Sequence, residues 1–264
     1  MLWRWSGAVC GVIALVATTS ASTQPELVRV RHVEGLVHGF LILRDEGGKD
    51  IARGDLIQNA QAARVTSRLT FHFSDGSLYD ETAAFSQKSS FRLIRDHVQQ
   101  HGPSFPKPID MSIDVAAQRV TVTYSDDGKE KTANKHMELP ANLANGLIPV
   151  LLKNVDRDAP PKELSMVVAT PEPQLITLEI TAARPEPFSK EDQHQRVTEY
   201  TLKPHIGGVK GFLAPLVGKQ PPDAHVWILE GTAPAFLAAE QQFFPEGPLW
   251  RIELSVPTWR GPQR

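Results

Sequence analysis

The sequence predicts a mainly β fold: an antiparallel sheet with one helix, followed by a second, proline-rich β domain. Three observations carry this reading. Apolar residues recur with a period of two in runs such as Val65-Thr66-Ser67-Arg68-Leu69-Thr70-Phe71-His72-Phe73, as in strands that bury one face. Asp75-Gly76 and Asp127-Gly128 stand between such runs, and Asp-Gly is the strongest short-range hairpin signal because both residues tolerate positive φ. Finally, 15 of the 21 prolines follow residue 158, which favours short strands broken by ordered loops in the second half.

Composition sets outer limits on function. The 264 residues include 28 Lys+Arg and 30 Asp+Glu, with 41% hydrophobic and 22% charged residues, a globular profile that excludes disorder and collagen. A net charge of −2 with no basic stripe gives nothing to condense on phosphate backbones, so no nucleic acid is expected as partner.

The chain opens like a secretory signal peptide, residues 1–22. Met1 to Arg4 supply one positive charge, Gly7 to Ala17 an apolar run of 11 residues, and Ser20-Ala21-Ser22 a small-residue cleavage site before Thr23. A spanning helix needs about 20 apolar residues, so the mature chain is expected to carry no transmembrane segment and to be periplasmic or secreted. Cys10, the one cysteine, falls inside the apolar run. A mature chain without thiols has no disulfide framework, thiolate nucleophile or Cys-ligated zinc.

The elements then follow in order. Leu27 to Arg31 alternates, Leu36 to Leu43 is a longer apolar run, and Val65–Phe73 turns through Ser74-Asp75-Gly76-Ser77 into Leu78–Gln87. Ser90 to Gln100 fits a strand, with Phe91, Leu93, Arg95, His97 and Gln99 sharing one face, or a helix with Phe91, Ile94 and Val98 together. Arg119–Tyr124 pairs through Asp127-Gly128 with Lys129 onward. Leu143, Leu147, Val150, Leu151 and Val155, after Pro140, predict a helix over 141–155 that Pro149 kinks or splits. Residues 156–161, charged and proline-rich, read as a linker between an N-terminal domain of residues 23–155 and a C-terminal β domain of residues 162–258, with a tail over 259–264. Strands in the second half are expected at Leu164–Ala169, Leu175–Ala182, Val197–Leu202, His225–Leu229 and Trp250–Val256. Whether the halves form one sheet system or two domains stays open from the sequence.

A resemblance adds to this. Ser90-Phe91-Arg92-Leu93, Gly102-Pro103-Ser104-Phe105-Pro106, the Tyr124 to Gly128 hairpin and Glu138-Leu139-Pro140 resemble uncharacterised exported β-rich proteins of Gram-negative bacteria. In outline these are similar to the curved antiparallel sheets with which periplasmic lipoprotein carriers wrap a helix. The resemblance implies a periplasmic protein with a concave sheet and supplies no functional residues. The density of Gly, Pro, His and Trp over Tyr200–Phe212, Gln220–Trp227 and Glu246–Leu254 resembles similar exported proteins of unknown function.

No reaction motif stands out. His97 and His101 would share a helix face and could begin a metal site, but H-E-x-x-H is absent because Val98 occupies the position of the base. On a strand the pair would lie about 13 Å apart, too far for one ion. G-x-S-x-G is missing, and Ser104-Phe105-Pro106-Lys107 matches S-x-x-K with a proline that forbids the helical turn. Gly207-Gly208-Val209-Lys210-Gly211 lacks the Ser/Thr and the helix of a phosphate loop. Asp223 and His225 read as a surface contact. No metal and no cofactor are therefore expected. The candidate ligand-binding residues are Val209, Phe212, Leu213 and Leu216, in a glycine-rich apolar segment, together with Trp227. The expected function is an exported, non-catalytic binding protein of the bacterial envelope. Its expected partners are an apolar small molecule or lipid, or an envelope protein, and the alternative is a periplasmic hydrolase or metal-dependent enzyme.

Overall fold

A computed structural model describes residues 25–190, 193–205 and 221–255. The proposed signal peptide, residues 206–220 with Val209, Phe212, Leu213 and Leu216, and the tail lie outside the described residues. The first half supplies β1 (Val37–Arg44), β2 (Asp50–Gln61), β3 (Arg64–Phe73), β4 (Leu78–Gln87), β5 (Phe91–His101), β6 (Ile109–Asp114), β7 (Arg119–Asp126) and β8 (Lys129–His136). After the short helix α1 (Ile148–Asn154) come β9 (Glu163–Val168), β10 (Gln174–Ala182), β11 (Glu186–Lys190), β12 (Gln193–His205), β13 (Ala224–Leu229), β14 (Ala235–Gln242) and β15 (Leu249–Leu254).

All fifteen strands belong to one sheet, in the order β8-β7-β6-β5-β4-β3-β2-β1-β15-β14-β13-β12-β10-β9, with β11 added on β12. β1 joins the halves, pairing antiparallel with β2 on one side and with β15 on the other. The sequence boundary at 156–161 thus falls between α1 and β9, and the strands that follow extend the same sheet. They share one hydrophobic core with the first half, where the sequence suggested a second domain.

The sheet is rolled up. Tyr79 begins β4 and Phe243 follows β14, five strands away in the sheet order, a distance of about 24 Å across a flat sheet. Their rings lie 4.8 Å apart, edge to face. This contact belongs to an aromatic cluster of Phe71, Phe73, Tyr79, Phe105, Phe243, Phe244 and Trp250 that fills the end where β3 finishes and β4 begins. Phe105, carried on the β5–β6 loop, is 1% exposed and caps this end.

At the opposite end the N-terminal segment crosses the opening and fastens onto α1. Asn154 Oδ1 accepts the Arg31 and His32 amides at 2.9 and 2.7 Å. Buried Glu34 meets Lys153 Nζ at 2.7 Å, while its backbone exchanges hydrogen bonds with the Gln87 side chain. The Leu139–Leu147 segment covers the free edge of β9. Ala144 N–H donates to Ser165 at 2.8 Å, and the Asn145 amide both donates to and accepts from the Val167 backbone. Covering an edge in this way removes a template for strand addition.

Several expectations need correction. The helix runs over Ile148–Asn154, not 141–155, and Pro149 stands in its first turn, where its fixed φ and missing N–H favour initiation. Leu27–Arg31 is reduced to an isolated bridge, Arg29 to Ser90. From Phe91 onward Ser90–Gln100 is strand, within β5, but its residues do not share one face as alternation predicts. Ala84 faces Arg95 and Phe85 faces Leu93, leaving Ile94 as an extra residue, a β-bulge. Phe91 and Leu93 therefore point inward, and after the bulge Asp96, Val98 and Gln100 do so, while Arg95, His97 and Gln99 face outward. The hairpin signals hold: Asp127 and Gly128 turn β7 into β8 with φ of 51° and 74°.

Candidate functional site

The outer face of β4 to β7 carries a groove of about 470 Å³ lined by Thr82, Arg95, His97, Ser112, Asp114, Arg119 and Thr121 together with the backbone of β5 and β6. Strand register explains the lining. Thr82, His97, Ser112 and Thr121 face one another in one cross-strand row, and Arg95, Asp114 and Arg119 in the next. Outward-facing positions of a half-buried sheet are free to be polar, so hydroxyls and charges gather here while Val98, Ile113, Val120 and Val122 fill the core behind them. The bulge at Ile94 is what brings Arg95 and His97 to this face.

The charges in the groove are unevenly satisfied. His97 Nε2 shares a hydrogen bond of 2.9 Å with Asp110, whose other oxygen accepts from Gln99 Nε2. Asp114 Oδ1 accepts the Ala117 amide at 2.9 Å and so caps the β6–β7 turn. Arg95 and Arg119, its neighbours across the ladder, have no ion-pair partner among the described residues. Two unpaired guanidinium forks flank Asp114 beside three hydroxyls, of which that of Thr121 donates to Asn134 Oδ1 at 2.8 Å, and together they form an environment for an anion that also presents hydroxyl groups.

The residue types of a nucleophilic site are also present here. Asp110, His97 and the Ser112 hydroxyl supply the residue types of a nucleophilic triad, yet no hydroxyl is hydrogen-bonded to His97 among the described residues. The neighbouring backbone amides belong to paired strands, so the donors that the groove offers are the Arg95 and Arg119 side chains.

Of the site residues proposed from the sequence, Trp227 alone is described. It is half-buried on the outer face of β13, with the Arg251 guanidinium 4.6 Å from its ring centre and the His225 ring stacked at 6.0 Å. His225 Nδ1 is bonded to Glu199 at 2.7 Å rather than to Asp223. Ser104 Oγ donates to Asp75, and His97 and His101 lie on one strand. Among the described residues no group of three or more His, Cys, Asp or Glu side chains is placed to hold a metal ion. No described helix is long and apolar enough to cross a membrane.

No protein-family model matches the chain, and no curated protein matches it. Among solved structures it is similar to a β-barrel-like protein of a domain of unknown function, DUF1849, from Brucella abortus. The two share 11% identity and a TM-score of 0.45, over 85% of this chain and 98% of the other.

Proposed function

We propose that this chain is an exported, non-catalytic binding protein that takes an anionic, hydroxyl-bearing component of the bacterial envelope in the groove over β4 to β7. The observation that carries the reading is the pair Arg95 and Arg119, which flank Asp114 in one row and have no ion-pair partner among the described residues, beside the hydroxyls of Thr82, Ser112 and Thr121. An arginine left without a carboxylate on a concave surface keeps its capacity for bidentate recognition of phosphate or carboxylate. Export rests on the signal-like residues 1–22 and predicts an N-terminus near Thr23 in protein taken from the envelope.

This reading changes the ligand class from apolar to polar. The space between β5 and Leu139–Leu143, lined by Arg92 together with apolar residues that include Leu93, Val115, Leu139 and Leu143, measures about 250 Å³. Ligand sites commonly occupy about 300–1,000 Å³, so this space is small for an acyl chain. Calorimetric titration with glucose 1-phosphate, with glucose as control, tests the proposal. The phosphorylated sugar should bind, and Arg95→Ala with Arg119→Ala should weaken it about tenfold or more, as loss of charge-assisted hydrogen bonds does. Equal affinity of the variant, or equal binding of glucose, would overturn it.

A further inference from the structure

Behind the groove, on the inner face, stands a pair of acids that the proposed binding does not use. Glu81 faces Val98 across the β4–β5 ladder and Asp96 faces Ala83, so the two are diagonal neighbours on one surface. Asp96 is 2% exposed, and neither of its carboxyl oxygens has a hydrogen-bond partner. Glu81, which keeps a partial opening to solvent, accepts the Tyr79 hydroxyl at 3.2 Å. The third wall is the closing segment Leu139–Leu147. Gly146 adopts φ +64° there, and a methyl group on it would lie 2.6 Å from Ala83 Cβ, 3.1 Å from Asp96 Oδ1 and 3.5 Å from Glu81 Oε1. The segment's backbone thus rests directly on the acids.

Among the described residues no Lys, Arg or His side chain bonds to either carboxyl. On β5 the adjacent Arg95 and His97 point to the outer face, although the His97 backbone amide lies near enough to favour the Asp96 anion slightly. On β4 the other titratable groups are Asp80, which pairs with Arg68, and Tyr79, whose phenol is pushed well up by burial and by Glu81, Asp96 and Asp80, and so stays protonated. The closing segment brings no charge at Gly146. Two carboxylates in such a place cannot both be ionised cheaply. Burial raises Glu81 to about 7, and burial together with the charge of Glu81 holds Asp96 well above the usual carboxylate range.

We propose that Glu81 and Asp96 form a proton latch: with protons retained they seat Gly146 and the Leu139–Leu147 segment against β4 and β5, and loss of those protons loosens the segment and the β9 edge it covers. The sign follows from linkage. Both folded-state values lie above those of the unfolded chain, so stability is highest in mild acid and falls as pH rises from the usual carboxylate range through neutrality. The latch is independent of any ligand in the groove.

Hydrogen exchange of the full mature chain, corrected for intrinsic rates, reads the latch directly. Between pH 6 and pH 8 the protection of amides in Leu139–Leu147 and β9 should fall about tenfold or more, the factor that one released proton carries per unit of pH, while the aromatic end keeps its protection. The double variant Glu81→Gln, Asp96→Asn should lose this pH dependence. Infrared spectra of the unaltered protein should show the carbonyl stretch of a protonated carboxyl at pH 6.5 that disappears at high pH, a readout that stands if the variant fails to fold. Protection of the segment that does not change with pH, an unaltered pH dependence in the double variant, or absence of the protonated-carboxyl band would each overturn the proposal.

Discussion

Asp114 and Arg119 face each other across the β6–β7 ladder and form no ion pair among the described residues, while Asp114 Oδ1 accepts the Ala117 amide at 2.9 Å. The turn therefore orients the carboxylate, whose charge stays between Arg95 and Arg119. Surface arginines without partners add little to stability, so Arg95→Ala with Arg119→Ala should shift the free energy of unfolding by no more than about 0.5 kcal/mol. Chemical denaturation checks this, and a loss of several kcal/mol would mean that the side chains serve the fold.

Gly146→Ala should have a large effect. The residue is left-handed, a conformation that costs an L-residue about 1–2 kcal/mol, and its new methyl would overpack against Ala83, where crowding adds about 1–3 kcal/mol. Urea denaturation should show a loss of about 2–4 kcal/mol, partly restored by Ala83→Gly, which removes the nearest opposing atom.

Phe105→Ala tests whether the aromatic cluster closes its end of the sheet. The ring contacts Phe73, Tyr79, Phe244 and Trp250 and is 1% exposed. Removing a buried aromatic ring of this kind costs about 3–5 kcal/mol. A drop below 1 kcal/mol in the same denaturation assay would show that the loop is loosely seated.

Two ion pairs near the N-terminal segment should behave differently. Lys153 and Glu34 are 16% and 5% exposed, and Lys153→Met would strand a buried carboxylate at a cost of about 3–5 kcal/mol. Arg31 and Asp156 pair at 2.9 Å with nearly half of each side chain in solvent, so Asp156→Asn should cost less than about 1 kcal/mol. Melting curves of the two variants rank them directly.

Much of the sheet was legible because β3 and β7 alternate between buried and more exposed positions, and Asp-Gly pairs mark where they turn into β4 and β8. Other strands carry no such signal. β2, with Asp50-Ile51-Ala52-Arg53-Gly54-Asp55, alternates weakly, and Gly54 is needed because a side chain there would strike Thr70 and Phe71. Apart from Phe236, β14 is built from Ala, Leu, Glu and Gln, residues that favour helices in isolation, and becomes a strand by pairing with β13 and β15. The candidate groove was hidden for a more specific reason. One unpaired residue, Ile94, reverses the facing of everything after it in β5, which sends Asp96 inside and Arg95 and His97 outside. A bulge of this kind depends on the partner strand and leaves no local mark in Ser90–Gln100. Ser112 likewise meets His97, and Asp114 comes to lie between Arg95 and Arg119, through register alone.

The central claim is that the groove over β4 to β7 binds an anion that carries hydroxyl groups. Amide chemical-shift mapping with glucose 1-phosphate at low ionic strength tests it most directly. The account predicts saturable shifts concentrated at Thr82, Arg95, His97, Ser112, Asp114, Arg119 and Thr121, which vanish in the double arginine variant. Saturable shifts clustered elsewhere, or no saturable response in the groove, would contradict it.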